Sequence, residues 1–284
     1  MPRDQAKRKL ELFRFQLLPV TRNKQLNLFD RILSSEEVVA RKNEFFGSLL
    51  ENFPNLKSAN TDLIQRVIYA SPEWLVLKIA PHRTLKRHRN FEAEMIDDWP
   101  HISVVINNDP LVQTIAVTKN PRAFANSSIV INLLAENLRY LLAQMGLIME
   151  IKAQFNKNNF WSLIDKFEGS IQAIRFEYVT PNMSSISEGL MLDLKDLSKN
   201  INAQKAELEL KAEGDAVLEI SKDNPHVKGL VDYSSKGGGN ISMKIKGLKK
   251  RFHTANEIKE IELDELEIQN PNDQTLSLLK QLFE

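Results

Sequence analysis

HISVVINNDPLVQTIAVT, residues 101–118, decides the fold. Two near-continuous apolar runs, ISVVI and VQTIAV, flank Asn107-Asn108-Asp109-Pro110, residues that accept or favour a bent backbone. The reading is a β-hairpin, and the unbroken apolar character predicts a central position covered on both faces. Downstream, Ser127-Ser128 reads as the cap of a long helix carrying Ile129, Leu133, Leu134, Leu138, Leu141, Leu142 and Met145, which stops near Gly146. Upstream, Leu75 to Ile79 and Ile68 to Tyr69 read as strands around a Pro72 turn. Ser34-Ser35-Glu36-Glu37 opens a helix over 36–52, and Leu10 to Leu18 form a first strand ending at Pro19.

The second half repeats the mixture without repeating the sequence. Strands are expected at Leu147–Phe155 and Ile171–Val179, with a short aromatic helix, Phe160 to Phe167, between them. A helix over 185–201 follows, then strands at Leu208–Leu210 and Val217–Ile220 joined through Gly214-Asp215, and a final strand through Ile258, Ile261, Leu263, Leu266 and Ile268. Because most neighbouring strands are separated by short turns, the expected class is α+β in two domains, each a mostly antiparallel sheet with helices packed on it. The expected division is 1–126, a connecting helix over 127–146, 147–270, and a tail helix over 271–284.

Bulk composition narrows the function. The chain has 284 residues, 38 Lys and Arg against 37 Asp and Glu, and no cysteine. Disulfides, thiolate catalysis and cysteine-based metal sites are thereby excluded. A net charge of +1 means that any polyanion binding must come from segregated charge. Basic residues at the start lack the apolar run of a secretory signal, and no window approaches the ~20 apolar residues of a membrane span. A cytoplasmic protein without membrane insertion is expected.

Charge is indeed segregated. In NPHVKGLVDYSSKGGGNISMKIKGLKKRFHT, residues 224–254, Pro225 suits a helix start and Gly237-Gly238-Gly239 a helix exit. In the strand that follows, Ile241, Met243 and Ile245 should face a core while Ser242, Lys244 and Lys246 face the other way. Lys249, Lys250, Arg251 and His253 come next, and no acid lies between Asp232 and Glu257. The mutual repulsion needs an offset, either bound phosphates or the acidic stretch 257–267 lying alongside as the neighbouring strand. A second basic stretch, His82 to Arg89, contains Arg83, Lys86, Arg87 and Arg89 and reads as a loop with no acid before Glu92. Two such stretches, one in each half, predict sequence-tolerant phosphate contacts in an inter-domain groove. The glycine triplet is no phosphate loop, since it leaves a helix instead of opening one.

Other chemistry is thinner. The five histidines show no metal-ligand spacing, and no cofactor fingerprint is present, so neither metal nor cofactor is expected. Glu209-Leu210-Lys211 and Glu150-Ile151-Lys152 match the E-x-K part of divalent-metal nuclease sites, with Asp165, Asp193 or Asp196 as a second acid, but Glu257-Ile258-Lys259 repeats the triplet as ordinary alternation. Trp74, Trp99, Phe160 and Trp161 are candidates for stacking on bases, or for core. The amphipathic end, Thr275 to Phe283, suits docking into a partner's groove, which keeps open a non-catalytic interaction subunit of a defence or toxin–antitoxin complex.

The order of elements, with the hairpin HISVVINNDPLVQTIAVT and the second-half segment IQAIRFEYVTPNMSSISEGLMLDLKDL, resembles two-domain phage-exclusion proteins of the Rex A type and, more distantly, the cytosolic subunit of the Kiwa antiphage system. The resemblance is one of layout and carries no site residues. It implies a homodimeric DNA-binding clamp that senses infection, with the killing activity in an effector partner encoded nearby. The combined expectation is a DNA-binding subunit of an antiphage defence system, contacting phosphates through Arg83, Lys86, Arg87, Arg89, Lys244, Lys246, Lys249, Lys250 and Arg251.

Overall fold

The computed structural model describes residues 7–20, 26–28, 31–179, 201 and 203–283. The helix expected over 185–201 falls, but for Ile201, outside them, as do Asp193 and Asp196. The class is α+β, and every strand pairing whose register is described is antiparallel. Two compact units divide the chain: residues 1–12, 19–149 and 260–284 form the first, 13–18 and 150–259 the second.

The first unit is built on β9, Thr114–Thr118, β8, Ile102–Asn107, β5, Trp74–Pro81, and β4, Leu63–Ala70, hydrogen-bonded in that order, and on the start of β1, Lys7–Pro19, with which β15, Glu260–Asp264, pairs. All of β8 and β9 is buried, as the hairpin at 101–118 predicts. Val76, Val105 and Ala116 line one face, under Leu276, Leu279 and Phe283 of the C-terminal helix Asp273–Phe283. Helix α1, Ser35–Glu51, packs on β5. It opens on a reciprocal cap in which the Ser34 hydroxyl accepts from the Glu37 N–H and the Glu37 carboxylate accepts from the Ser34 N–H. Helix α2, Ser127–Gln144, packs on β9; its cap is Asn126 and not Ser127, whose side chain is buried.

The final strand is shorter than expected. It ends at Asp264, opposite Lys7, and the chain turns into a short helix, Glu265–Gln269, which buries Ile268 in the core. Its acids also have an address: β15 lies along Lys7, Arg8 and Lys9, with Arg8 on Glu265 at 3.0 Å and Lys9 on Glu260 at 3.4 Å.

The second unit is a four-stranded sheet, β12-β11-β13-β14, of Lys205–Lys211, Ile171–Val179, Gly239–Ile245 and Phe252–His253. One face packs Ile174, Phe176, Tyr178, Ile241 and Met243 against Phe160, Trp161 and Ile164 of α3, Lys157–Lys166, and against Leu230, Val231 and Tyr233 of the helix Pro225–Tyr233. Val217–Ile220, expected as a strand, is irregular. Both edges of β11 are already taken by β12 and β13, and the segment makes one backbone bond, Leu218 N–H to Ile171 O at 2.7 Å, where β11 begins.

The glycine triplet is explained by space. Gly237 has φ +77°, and a β-carbon there would meet the Arg14 Cβ at 2.4 Å. At Gly239 a β-carbon would lie 1.7 Å from the Glu177 carbonyl oxygen, so only glycine lets β13 close onto β11.

Candidate nucleic-acid interface

Register defines what the open face of the second unit presents. Arg175 stands opposite Glu209 on one side and Ser242 on the other, and Ser242 opposite His253. One step of two residues along, Lys211 and Lys244 flank Ala173. Side chains opposite one another share a face, so Arg175, Lys211, Lys244 and His253 lie on the side away from the helices. The far end of this face turns acidic, with Glu207 opposite Glu177.

Three cations meet at one carboxylate. Glu209 takes Lys211 Nζ at 3.0 Å, Arg251 Nη2 at 3.0 Å and Arg175 Nη2 at 3.4 Å. Lys211 first and Arg251 second push its pKa down to about 2. One negative charge does not balance three positive ones, and Glu207, 3.6 Å from Arg175 Nη1, is the next nearest carboxylate to that guanidinium. Arg175 Nε and Arg251 Nη1 are buried and have no hydrogen-bond partner. The excess positive charge around one shared carboxylate suits an added oxyanion at the exposed side of the cluster.

From this cluster the chain runs on through cations without acids. Lys246 is 3.8 Å from the fully exposed Asp215. Gly247, at φ +84°, turns the chain, and Leu248, Lys249 and Lys250 are exposed. Lys244, Lys249 and Lys250 make no ion pair with any described residue. Burial, and then Lys236, lowers the Lys259 pKa. The acidic strand does not supply the missing counter-charge to β13: it is hydrogen-bonded to β1, while β13 has β11 and β14.

The stretch at 82–89 is different. It is not a loop but a strand, β6, Arg83–Arg89, paired with β7, Glu92–Asp98. Arg83 stands opposite Asp98, Arg87 opposite Glu94 and Arg89 opposite Glu92; only Lys86, opposite Met95, meets no acid on its rung. Arg83 is also held internally, donating to the Ala123 carbonyl at 2.6 Å and the His82 carbonyl at 3.1 Å. The basic run ends in a turn and its acids come back beside it, a pairing written in EAEMIDD at 92–98.

Other candidates find ordinary places. Trp74, Phe160 and Trp161 are core, and the Trp99 ring meets the His82 ring at a tilt, with centroids 5.0 Å apart. His101 lies 3.7 Å from Glu265. Asp165 pairs with Lys222 at 2.9 Å, and Glu150 with Lys205 at 2.8 Å. Among the described residues no three acids or histidines group as metal ligands, and a cation at Glu209 would have to displace three already there. The C-terminal helix buries its apolar stripe in its own unit. No helix among the described residues is long and apolar enough to cross a membrane. The sequence reading did not put Arg175 and Lys211 with the basic groups of this face, though alternation along IQAIRFEYV and KAELELK places both there. Comparison with family models, with curated proteins and with solved structures found no match.

Proposed function

We propose that the chain binds nucleic acid, DNA in the first instance, through phosphate contacts on the open sheet face of its second unit. Lys244, Lys249 and Lys250 are the free cations, Arg251 and Arg175 the forks held ready by Glu209, and Lys246 an outlying contact. The carrying observation is the cluster in which three cations share one carboxylate while two guanidinium N–H groups stay unmet. Three cations on one carboxylate leave the cluster net positive, and an oxyanion bound at its exposed edge removes the repulsion between them. The resemblance in element order to phage-exclusion proteins supports a role for this binding in antiphage defence, with the destructive step in a partner.

Contacts of this kind read charge and spacing, not base edges, so the preference among sequences is weak. Fluorescence anisotropy with a labelled duplex of arbitrary sequence tests the reading. Six phosphate contacts give a slope of about −5 in log K against log salt, and Lys249→Glu with Lys250→Glu flattens it by about 2. Absence of binding at about 50 mM salt overturns the reading. Plasmid cut in Mg²⁺ by the wild type and spared by Glu209→Ala would move the assignment to a nuclease.

A further inference from the structure

The β6–β7 pair continues the β5–β8 pair. In β5 and β8 the partners run from Trp74 opposite Asn107 to Ile79 opposite Ile102; beyond Pro81, Arg83 opposite Asp98 to Arg89 opposite Glu92 carry on in the same antiparallel sense. Burial ends at that junction. The inner strands lie in the core, whereas β6 and β7 are exposed or half-buried throughout and pair with no other strand among the described residues. Seven residues of strand at ~3.4 Å each make an arm roughly 24 Å long. Such a ribbon has no core to hold it, and opposite charges on three of its rungs help to do so.

Its tip spends stability twice. Asn90 at φ +50° and Phe91 at φ +67° are both left-handed, the pattern of a tight hairpin turn whose second place normally belongs to glycine. A bulky residue there is strained, and the Phe91 ring has an exposure of 104%, so packing gives nothing back. Met95, at 64%, follows on the ribbon.

The two faces of the arm differ. Arg83, Arg87 and Arg89 share one face with Asp98, Glu94 and Glu92. The other face holds Thr84, Lys86 and His88 opposite Asp97, Met95 and Ala93, and Asp97 is engaged by His82 at 2.8 Å. Lys86 and His88 therefore have no acid opposite them, and Asp97, engaged by His82, is the carboxylate this face of the ribbon carries. An apolar ring at the tip, with Lys86 and the imidazole of His88 behind it, matches a stack of bases edged by phosphates, and a two-stranded ribbon fits a nucleic-acid groove.

We propose that this ribbon is a nucleic-acid arm and that Phe91 is a wedge entering between stacked bases, with Lys86 and His88 on the adjoining phosphates. The arm adds little grip, because its charges sum to about zero; its work is to unstack. The inference rests on the nucleic-acid reading above and is tested apart from it. The full chain is titrated with a duplex carrying 2-aminopurine, whose fluorescence rises on unstacking, while anisotropy follows binding. The wild type should raise the fluorescence; Phe91→Ala should still bind, weaker by about tenfold or less, without the rise. Phe91→Gly should also lose the rise while melting no lower than the wild type, since glycine relieves the turn. Binding by the wild type without a rise, or a rise kept by Phe91→Ala, overturns the wedge and leaves the cationic face untouched. Failure of the wild type to bind removes both. Light scattering that shows self-association lost only in Phe91→Ala, with fluorescence unchanged, overturns the wedge in favour of a protein contact.

Discussion

Residues 82–89 and 244–251 look alike in composition and differ in company. The first is a strand whose cross-strand neighbours are acids three times out of four for its charged rungs, and its Arg83 is spent on backbone carbonyls. The second belongs to a sheet whose acids are few and shared: Glu209 serves three cations, and Lys244, Lys249 and Lys250 have no carboxylate among the described residues. Charge density along a chain does not tell which cations are available. The partner strand does.

The most drastic way to break the comparison is to remove the sheet that presents the second stretch. Gly239→Ala puts a β-carbon into the Glu177 carbonyl, and thermal unfolding should show a loss of about 3 kcal/mol or more. Next comes the comparison itself. Lys249→Glu with Lys250→Glu should weaken duplex binding about 100-fold near 0.1 M salt, whereas Arg87→Ala with Arg89→Ala should change it by about threefold or less, because those guanidiniums already face acids. Equal losses from both pairs would erase the distinction.

A smaller effect sharpens it. Glu209 has its folded pKa pushed to about 2 from an ordinary value of 4.5, so the stability it contributes is complete above the unfolded value and is lost as pH falls toward the folded one. Glu209→Gln should therefore be less stable than the wild type at neutral pH, and the two melting curves should meet as pH is lowered from about 5 to about 2. A gap that persists below this range would assign the role of Glu209 to something other than its charge. The smallest effect lies in the ribbon: a double-mutant cycle on Arg89 and Glu92 should return a coupling of a few tenths of a kcal/mol that shrinks with added salt.

Much of this architecture can be read from residue order. The hairpin at 101–118, the cap at Ser34, the start at Pro225 and the helix-to-strand passage at Gly237–Gly239 each carry a local signal, turn chemistry or capping chemistry, that tertiary contacts did not override. Strand ends were less legible. Leu266 to Ile268 continue an apolar pattern, yet the chain is helical there and Ile268 reaches the core from that helix. Val217 to Ile220 looked like a strand for the same reason and found both edges of β11 taken. For the site, alternation gave Lys244 and Lys246 but not the meeting of Lys211, Arg175 and Arg251 at Glu209, which depends on the register of two strands and on the chain just before Phe252 returning to them. The pairing of 82–89 with 92–98 was within reach, since Asn90-Phe91 is a two-residue connection between runs of opposite charge; the rarity of phenylalanine in a left-handed turn hid it.

The most direct test of the central claim is the salt dependence of duplex binding by the wild type and by the Lys249→Glu, Lys250→Glu variant. A steep fall for the wild type between about 50 and 200 mM salt, with a slope shallower by about 2 in the variant, is the predicted result. No binding at the low end, or the same slope in both proteins, would contradict it.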